Sequence, residues 1–223
     1  MSELRIALFD FDGTLADSVT SIIRNTQAAC GEVGVSAPNE KLIRQNIGKG
    51  LMDAALDYAA GDRAMAQKIF DAYRATAHRE LTSPSHQADK LFPGAQSALE
   101  ALSQEGWLLG IVTNKGRFGL RAHLEIYGIT ELFDVTLTAD DVPVKPAPDM
   151  ALEALRRTGV ALSRACLIGD TINDARCAMN AKMDFVGVGW GYHADDVLQE
   201  EGACYITPDF PDLVRFLNTH IPA

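Results

Sequence analysis

Six short apolar runs, most of them separated by segments of helix length, constrain this chain of 223 residues more than any other feature. They are LRIALF at 4–9, WLLGIVT at 107–113, DVTLT at 134–138, ACLIG at 165–169, DFVGVG at 184–189 and CYIT at 204–207. Each reads as a strand with an apolar run too continuous for one face to meet water. Strands of that kind belong to a parallel sheet covered by helices on both sides. Patterns such as PDMALEALRRTG at 148–159 and INDARCAMNAK at 172–182 supply the covering helices. The expected class is α/β, with a doubly wound, mostly parallel sheet. The chain is long enough, and at 47% hydrophobic residues apolar enough, to bury a large core.

One stretch breaks the alternation. Between residues 15 and 91 there is no convincing strand, and helical patterns run at about 18–33, 38–46, 50–60 and 62–81. In the last of these Ile69, Phe70 and Tyr73 fall at the three-to-four spacing of an amphipathic helix. An all-helical insertion after the first strand reads as a cap domain at 16–90, leaving 1–15 and 91–223 as the core. Hinges are expected near 15–18 and near 83–93, where SPSHQADKLFPG mixes chain breakers with polar residues.

Four polar clusters stand at or near strand ends. In DFDGTL at 10–15 two carboxylates, Asp10 and Asp12, precede a glycine that frees the backbone to turn. They offer hard oxygen ligands for a divalent cation, and either is a possible nucleophile. By itself the motif is also an ordinary strand-to-turn junction. VTNKG at 112–116 presents Thr113 and Asn114 where a helix is about to start, a position that binds anions but is equally a plain helix cap. In VPVKPAPD at 142–149 prolines flank Lys145 and restrict its backbone, so its ammonium is a fixed point charge for a phosphate or else a solvated turn lysine. IGDTIND at 168–174 closes a strand with Asp170 and returns Asp174 to the same side one helical turn later; both also suit a helix amino terminus.

In this order and spacing the clusters resemble the four motifs of the haloacid dehalogenase superfamily of phosphohydrolases, over nearly the whole chain. FDGTLADS, LFPG at 91–94, KPAPD at 145–149 and the tail VGVGWGYHADDVLQEEGACYI are most similar to its phosphoglycolate phosphatase group. The resemblance implies a Rossmann-like core with a cap after the first strand. It further implies a Mg²⁺-dependent phosphatase acting on a small phosphorylated metabolite. Asp10 would be the nucleophile that becomes an aspartyl-phosphate, and Asp12 the acid and base. Mg²⁺ would sit on Asp10, Asp170 and the backbone carbonyl of Asp12, with Asp174 supporting it directly or through another group. Thr113, the N–H of Asn114 and Lys145 would hold the phosphate oxygens.

The aspartate at position 12 argues against the dehalogenases, which have no alkoxide to protonate. Lys49 is a cap lysine, yet nothing around it is similar to the imine-forming, phosphonate-cleaving branch. A sugar-phosphate mutase or pyrophosphatase of the same superfamily keeps the same motifs and stays open. A non-catalytic phosphate-binding relative would be free to lose Asp10, Asp12, Lys145 or Asp170, and all four are present. Within the insertion, RQNIGKGL at 44–51 is the segment expected to reach the site, with Arg44 and Lys49 as candidate contacts for a carboxylated substrate.

A balance of 20 basic against 30 acidic residues, with no Lys or Arg run, disfavours a nucleic acid or an anionic membrane surface as partner. Cys30, Cys166, Cys177 and Cys204 are scattered without metal-like spacing, which fits a reducing cytoplasm. No segment approaches the length of an apolar membrane span.

Overall fold

The computed structural model of the protein describes residues 4–83 and 89–222. Strand β1 (Arg5–Phe9) and the short β2 (Ala16–Asp17) lead into helices α1 (Val19–Glu32), α2 (Glu40–Asn46), α3 (Leu51–Tyr58) and α4 (Arg63–Leu81). After β3 (Lys90–Leu91) the chain alternates: α5 (Ala95–Gln104), β4 (Trp107–Val112), α6 (Arg117–Tyr127), β5 (Val135–Leu137), α7 (Asp149–Thr158) and β6 (Ala165–Gly169). It closes with α8 (Ile172–Ala181), β7 (Asp184–Val188), α9 (Asp195–Glu200), β8 (Tyr205–Thr207) and α10 (Phe210–His220).

The six apolar runs form one six-stranded sheet in the order β5-β4-β1-β6-β7-β8, with every pairing parallel. Successive side chains of β1 point to opposite faces, as strand geometry requires. Ile6 and Leu8 enter one buried cluster with Met150, Ala151 and Ala178, while Ala7 and Phe9 enter another with Leu99, Leu102 and Leu213. Both faces are thus dry, and each fully buried Leu, Ile or Phe contributes about 1.5–3 kcal/mol relative to exposure. Cys166 is wholly buried in this packing as a small apolar side chain.

The order of the strands positions the site. From β1 the chain reaches β4 on one side and later β6 on the other, so β1 lies at the point where the winding reverses. Ligands of open α/β sheets bind beyond the carboxyl ends of the strands at such a point. Phe9 is in register with Ile111 and Ile168, which brings the three loops that follow β1, β4 and β6 side by side.

One expectation needs correcting. The stretch between residues 15 and 91 is not free of strand, because β2 and β3 pair antiparallel at its two ends, Ala16 opposite Leu91 and Asp17 opposite Lys90. Two residues of pairing carry no readable periodicity, so the signal was absent from the sequence. Residues 84–88 of the expected second hinge lie outside the described residues. Helices α1, α3 and α4 pack around Cys30, Ala55, Ala66 and Ile69. No helix among the described residues is long and apolar enough to cross a membrane.

Candidate active site

Asp10 follows the last residue of β1 and donates its backbone N–H to Ile168 O at 2.9 Å, which fixes it between the central strands. The chain then turns sharply: Leu15 N–H returns to Phe11 O at 2.9 Å, and Gly13 takes φ +87°, a conformation that disfavours any side chain. A Cβ on Gly13 would also lie 2.3 Å from Asp170 Oδ2. The glycine of DFDGTL is therefore required twice, by the turn and by the close approach of the loop after β6.

Asp10, Asp170 and Asp174 are buried and present carboxylate oxygens within 4.8 Å of one another. Lys145 is only 1% exposed and sits among them, its Nζ 2.8 Å from Asp10 Oδ1 and 2.5 Å from Asp174 Oδ1. It is not a solvated turn lysine. Burial would strip its charge, yet the carboxylates of Asp10 and Asp174 hold its pKa above that of an ordinary lysine. For Asp10 burial dominates, and although Lys145 opposes it, the carboxyl is pushed up to about 6. Asp170 is raised well above the usual range by burial first and then by the charges of Asp174 and Asp10.

Asp170 has both oxygens engaged, accepting from Thr14 Oγ1 at 2.9 Å and from Tyr192 N–H at 3.0 Å. Gly191 lies so close that a Cβ there would fall 2.1 Å from Asp170 Cβ. Asp174 serves two ends. Its Oδ2 accepts from Thr171 N–H at 3.0 Å and Thr171 Oγ1 at 2.6 Å in a capping box that starts α8, while Oδ1 faces Lys145. The capping and site readings of this aspartate describe the same side chain.

Asp12 is gripped by a residue that the sequence reading quoted within VTNKG but gave no role. Lys115 Nζ lies 2.9 and 3.1 Å from the two Asp12 oxygens. Burial, the largest single influence, raises the Asp12 carboxyl, but Lys115, Ser18 and His123 together outweigh it and hold the group below the usual carboxylate range. Thr14, Gly191 and the Tyr192 N–H were missed as well. Thr14 carried a signal, being a hydroxyl inside the first motif; a backbone donor carries none.

Thr113 is buried at the end of β4, and its Oγ1 accepts from Lys115 N–H at 3.2 Å. The Asn114 side chain acts as a clasp. It accepts from Lys145 N–H at 2.8 Å and donates to Lys145 O and Gly48 O at 2.9 Å each. Through Gly48 the loop between α2 and α3 is held against the sheet end, where a Cβ on Gly48 would lie 2.6 Å from the Thr171 side chain. Of the two candidate cations in that segment, Lys49 lines the cavity above Asp10 and Asp12 but pairs with Asp57 at 2.8 Å. Arg44 is exposed and is not among the residues lining the cavity.

Known proteins resemble this chain over most of its length. The family model described as haloacid dehalogenase-like hydrolase matches residues 7–188. Probable phosphatase IndB of Dickeya dadantii is 32% identical over 214 residues, covering 94% of this chain and 91% of that protein. Phosphoglycolate phosphatase of Yersinia pestis is 29% identical over 220 residues, covering 95% and 92%. A Bacteroides fragilis crystal structure assigned as a haloacid dehalogenase-like hydrolase superposes with a TM-score of 0.86 at 26% identity, over 95% of this chain and 100% of that one.

Proposed function

The chain belongs to the haloacid dehalogenase-like hydrolases, and from that premise we propose that it is a Mg²⁺-dependent phosphatase that cleaves a small phosphate monoester through an aspartyl-phosphate. The phosphatase names of its relatives support the reaction class. The observation that carries the mechanism is the meeting of Asp10, Asp12, Lys145 and Asp170, from three separate stretches of chain, at one end of the sheet.

The donor set suits the ion. Three buried carboxylates, Asp10, Asp170 and Asp174, face one buried ammonium, leaving an excess of negative charge that a hard divalent cation would offset. No donor meets Asp10 Oδ1 in hydrogen-bond geometry despite the nearby Lys145 charge. Asp10, Asp170 and the carbonyl of Asp12 would hold Mg²⁺, with Asp174 supporting them. When bound, the ion supplies positive charge between a carboxylate nucleophile and a dianionic phosphate that would otherwise repel each other.

Asp10 attacks phosphorus, the bond to the leaving oxygen breaks, and the phosphoryl group passes to the carboxylate. Thr113, the N–H of Asn114 and Lys145 take phosphate oxygens from a fixed frame, so little reorganisation is needed as charge shifts. Asp12 gives a proton to the departing alkoxide and afterwards takes one from the water that attacks the aspartyl-phosphate. Lys115 holds Asp12 in the ionised form that takes a proton, while an arriving dianionic phosphate pushes it toward the form that gives one. In this reading residues 16–90 are a cap closing over a core made of 1–15 and 91–223.

Phosphate release from a panel of phosphate monoesters tests the proposal. Release is expected with Mg²⁺, none after EDTA, and full recovery on readdition. Thermal melting gives a readout independent of turnover: saturating Mg²⁺ at about 100 Kd should add about 2.7 kcal/mol, or roughly 5–10 °C for a chain of this size. Activity that survives thorough chelation would remove the metal, and with it the assignment of Asp170.

A further inference from the structure

The cavity above Asp10 and Asp12 encloses about 480 Å³ and runs into the helical insertion. That is room for a ring-bearing molecule and far more than a two-carbon acid needs. Its far side is apolar, with Ile22, Ile47, Leu51, Phe70 and Tyr73 along the wall. Phe118 stands 48% exposed on the wall that α6 contributes, with its ring edge-on to His78 of α4 at 4.4 Å.

Its charges argue against a carboxylate. Among the described residues the Lys and Arg side chains that line the cavity are each engaged within the protein. Arg74 pairs with Asp140 at 3.1 Å, Lys49 with Asp57 at 2.8 Å and Lys115 with Asp12 at 2.9 Å. Beyond the catalytic aspartates, Asp53 and Asp89 also line the space, and Glu80 there is paired with Arg24, so a second anion would find no spare cation and would meet repulsion.

Among the described residues, one group on the insertion side of the wall lacks a hydrogen-bond partner. Asn46 is 4% exposed and donates Nδ2–H to Leu42 O at 2.9 Å, while its Oδ1 is buried and accepts from none of the described residues. A buried acceptor left unmade is costly, and because Asn46 lines the cavity a donor carried by a substrate would supply the partner it lacks. Asn25, also buried, lines the same space.

Taking the phosphatase reading as given, we propose that the alcohol released is uncharged and ring-bearing, with an apolar face against the insertion wall and an N–H or O–H that donates to Asn46 Oδ1. A small carboxylic acid such as glycolate is not the natural leaving group.

Three primary alkyl esters separate the possibilities without large differences in leaving-group activation: 2-phosphoglycolate, 2-phenylethyl phosphate and uridine 5′-monophosphate, each with the full chain and Mg²⁺. The expected order of kcat/KM is uridine 5′-monophosphate first, then 2-phenylethyl phosphate, then phosphoglycolate, with at least tenfold between first and last. Asn46→Ala should cut the preference for the nucleotide over 2-phenylethyl phosphate about tenfold. Should Asn46→Ala fail to fold, Met52→Trp, which narrows the cavity, should cut the preference of both ring-bearing esters over phosphoglycolate. Phosphoglycolate hydrolysed as well as or better than the ring-bearing esters overturns the leaving-group assignment and leaves the phosphatase reading intact. Hydrolysis of none of the three overturns the phosphatase reading itself, and the inference with it. Equal losses on every ester in Asn46→Ala remove Asn46 from recognition.

Discussion

The two walls of the candidate active-site cavity are built on opposite terms. At the sheet end most buried polar groups are matched, with Asp10 Oδ1 left to the charge of Lys145 alone: Lys145 to Asp174, Lys115 to Asp12, Thr14 and the Tyr192 N–H to Asp170, Thr171 to Asp174. On the insertion side the wall is mostly apolar, its few cations are already paired, and Asn46 keeps an acceptor unmade. The supporting cores differ in the same way. Phe9, Leu99, Leu102 and Leu109 stand in one cluster against the sheet, whereas the cluster behind the insertion wall is built on the smaller set Cys30, Ala55, Ala66 and Ile69. A frame largely set before the substrate arrives fits a group common to every substrate, the phosphate. A wall of shape and sparse polarity fits the part that varies between substrates.

If the matched frame does the chemistry, damage there should be severe and indifferent to substrate. Asp10→Asn removes the nucleophile and should lower turnover at least about a thousandfold on every ester, with the melting temperature largely kept. Substantial residual turnover in a clean preparation would break the assignment. Asp12→Asn should cost about a hundredfold or more on alkyl esters and markedly less on activated aryl phosphates, whose leaving groups need little protonation. Equal losses on both would take the acid role from Asp12.

The same contrast decides what the sequence made legible. Asp10, Asp12, Thr113, Asn114, Lys145, Asp170 and Asp174 were all marked, because parallel strands deliver their ends to one place and short polar motifs at strand ends keep their spacing. The strand and helix limits were also near the observed ones, since continuous apolar runs and helical periodicity are local signals. Lys115 went unassigned because its partner, Asp12, lies 103 residues away, and no local pattern encodes that pairing. Strands β2 and β3 were too short to show a period. The cavity wall was illegible for a further reason: Ile47, Phe70 and Tyr73 look like ordinary amphipathic-helix residues, and only tertiary packing decides which of them face a void.

Lys115 offers a smaller and sharper test of the matched frame. Its ammonium touches both Asp12 oxygens, so Lys115→Met should act through Asp12 and lower kcat about tenfold, with little change in KM. In an Asp12→Asn background the same substitution should change almost nothing, because the group it positions is gone. Additive losses in the double variant would show that Lys115 works on the phosphate directly, and the frame would then hold one more phosphate ligand than proposed.

The smallest expected effect comes from the insertion's own cations. The sequence made Arg44 and Lys49 candidates for a substrate carboxylate, a contact worth about 1.5–3 kcal/mol if made. Arg44 is exposed and does not line the cavity, and the Lys49 side chain, 39% exposed, already pairs with an Asp57 that is 45% exposed. Exposed pairs of this kind contribute about 0–1 kcal/mol. Arg44→Ala and Lys49→Ala should therefore change kcat/KM less than about threefold, on phosphoglycolate and on uncharged esters alike. A tenfold loss confined to phosphoglycolate would mean that Lys49 leaves Asp57 to bind substrate, or that Arg44 swings in over the cavity. Selection in the insertion would then be electrostatic, and the contrast between the two walls would fail where the sequence first placed the recognition of substrate.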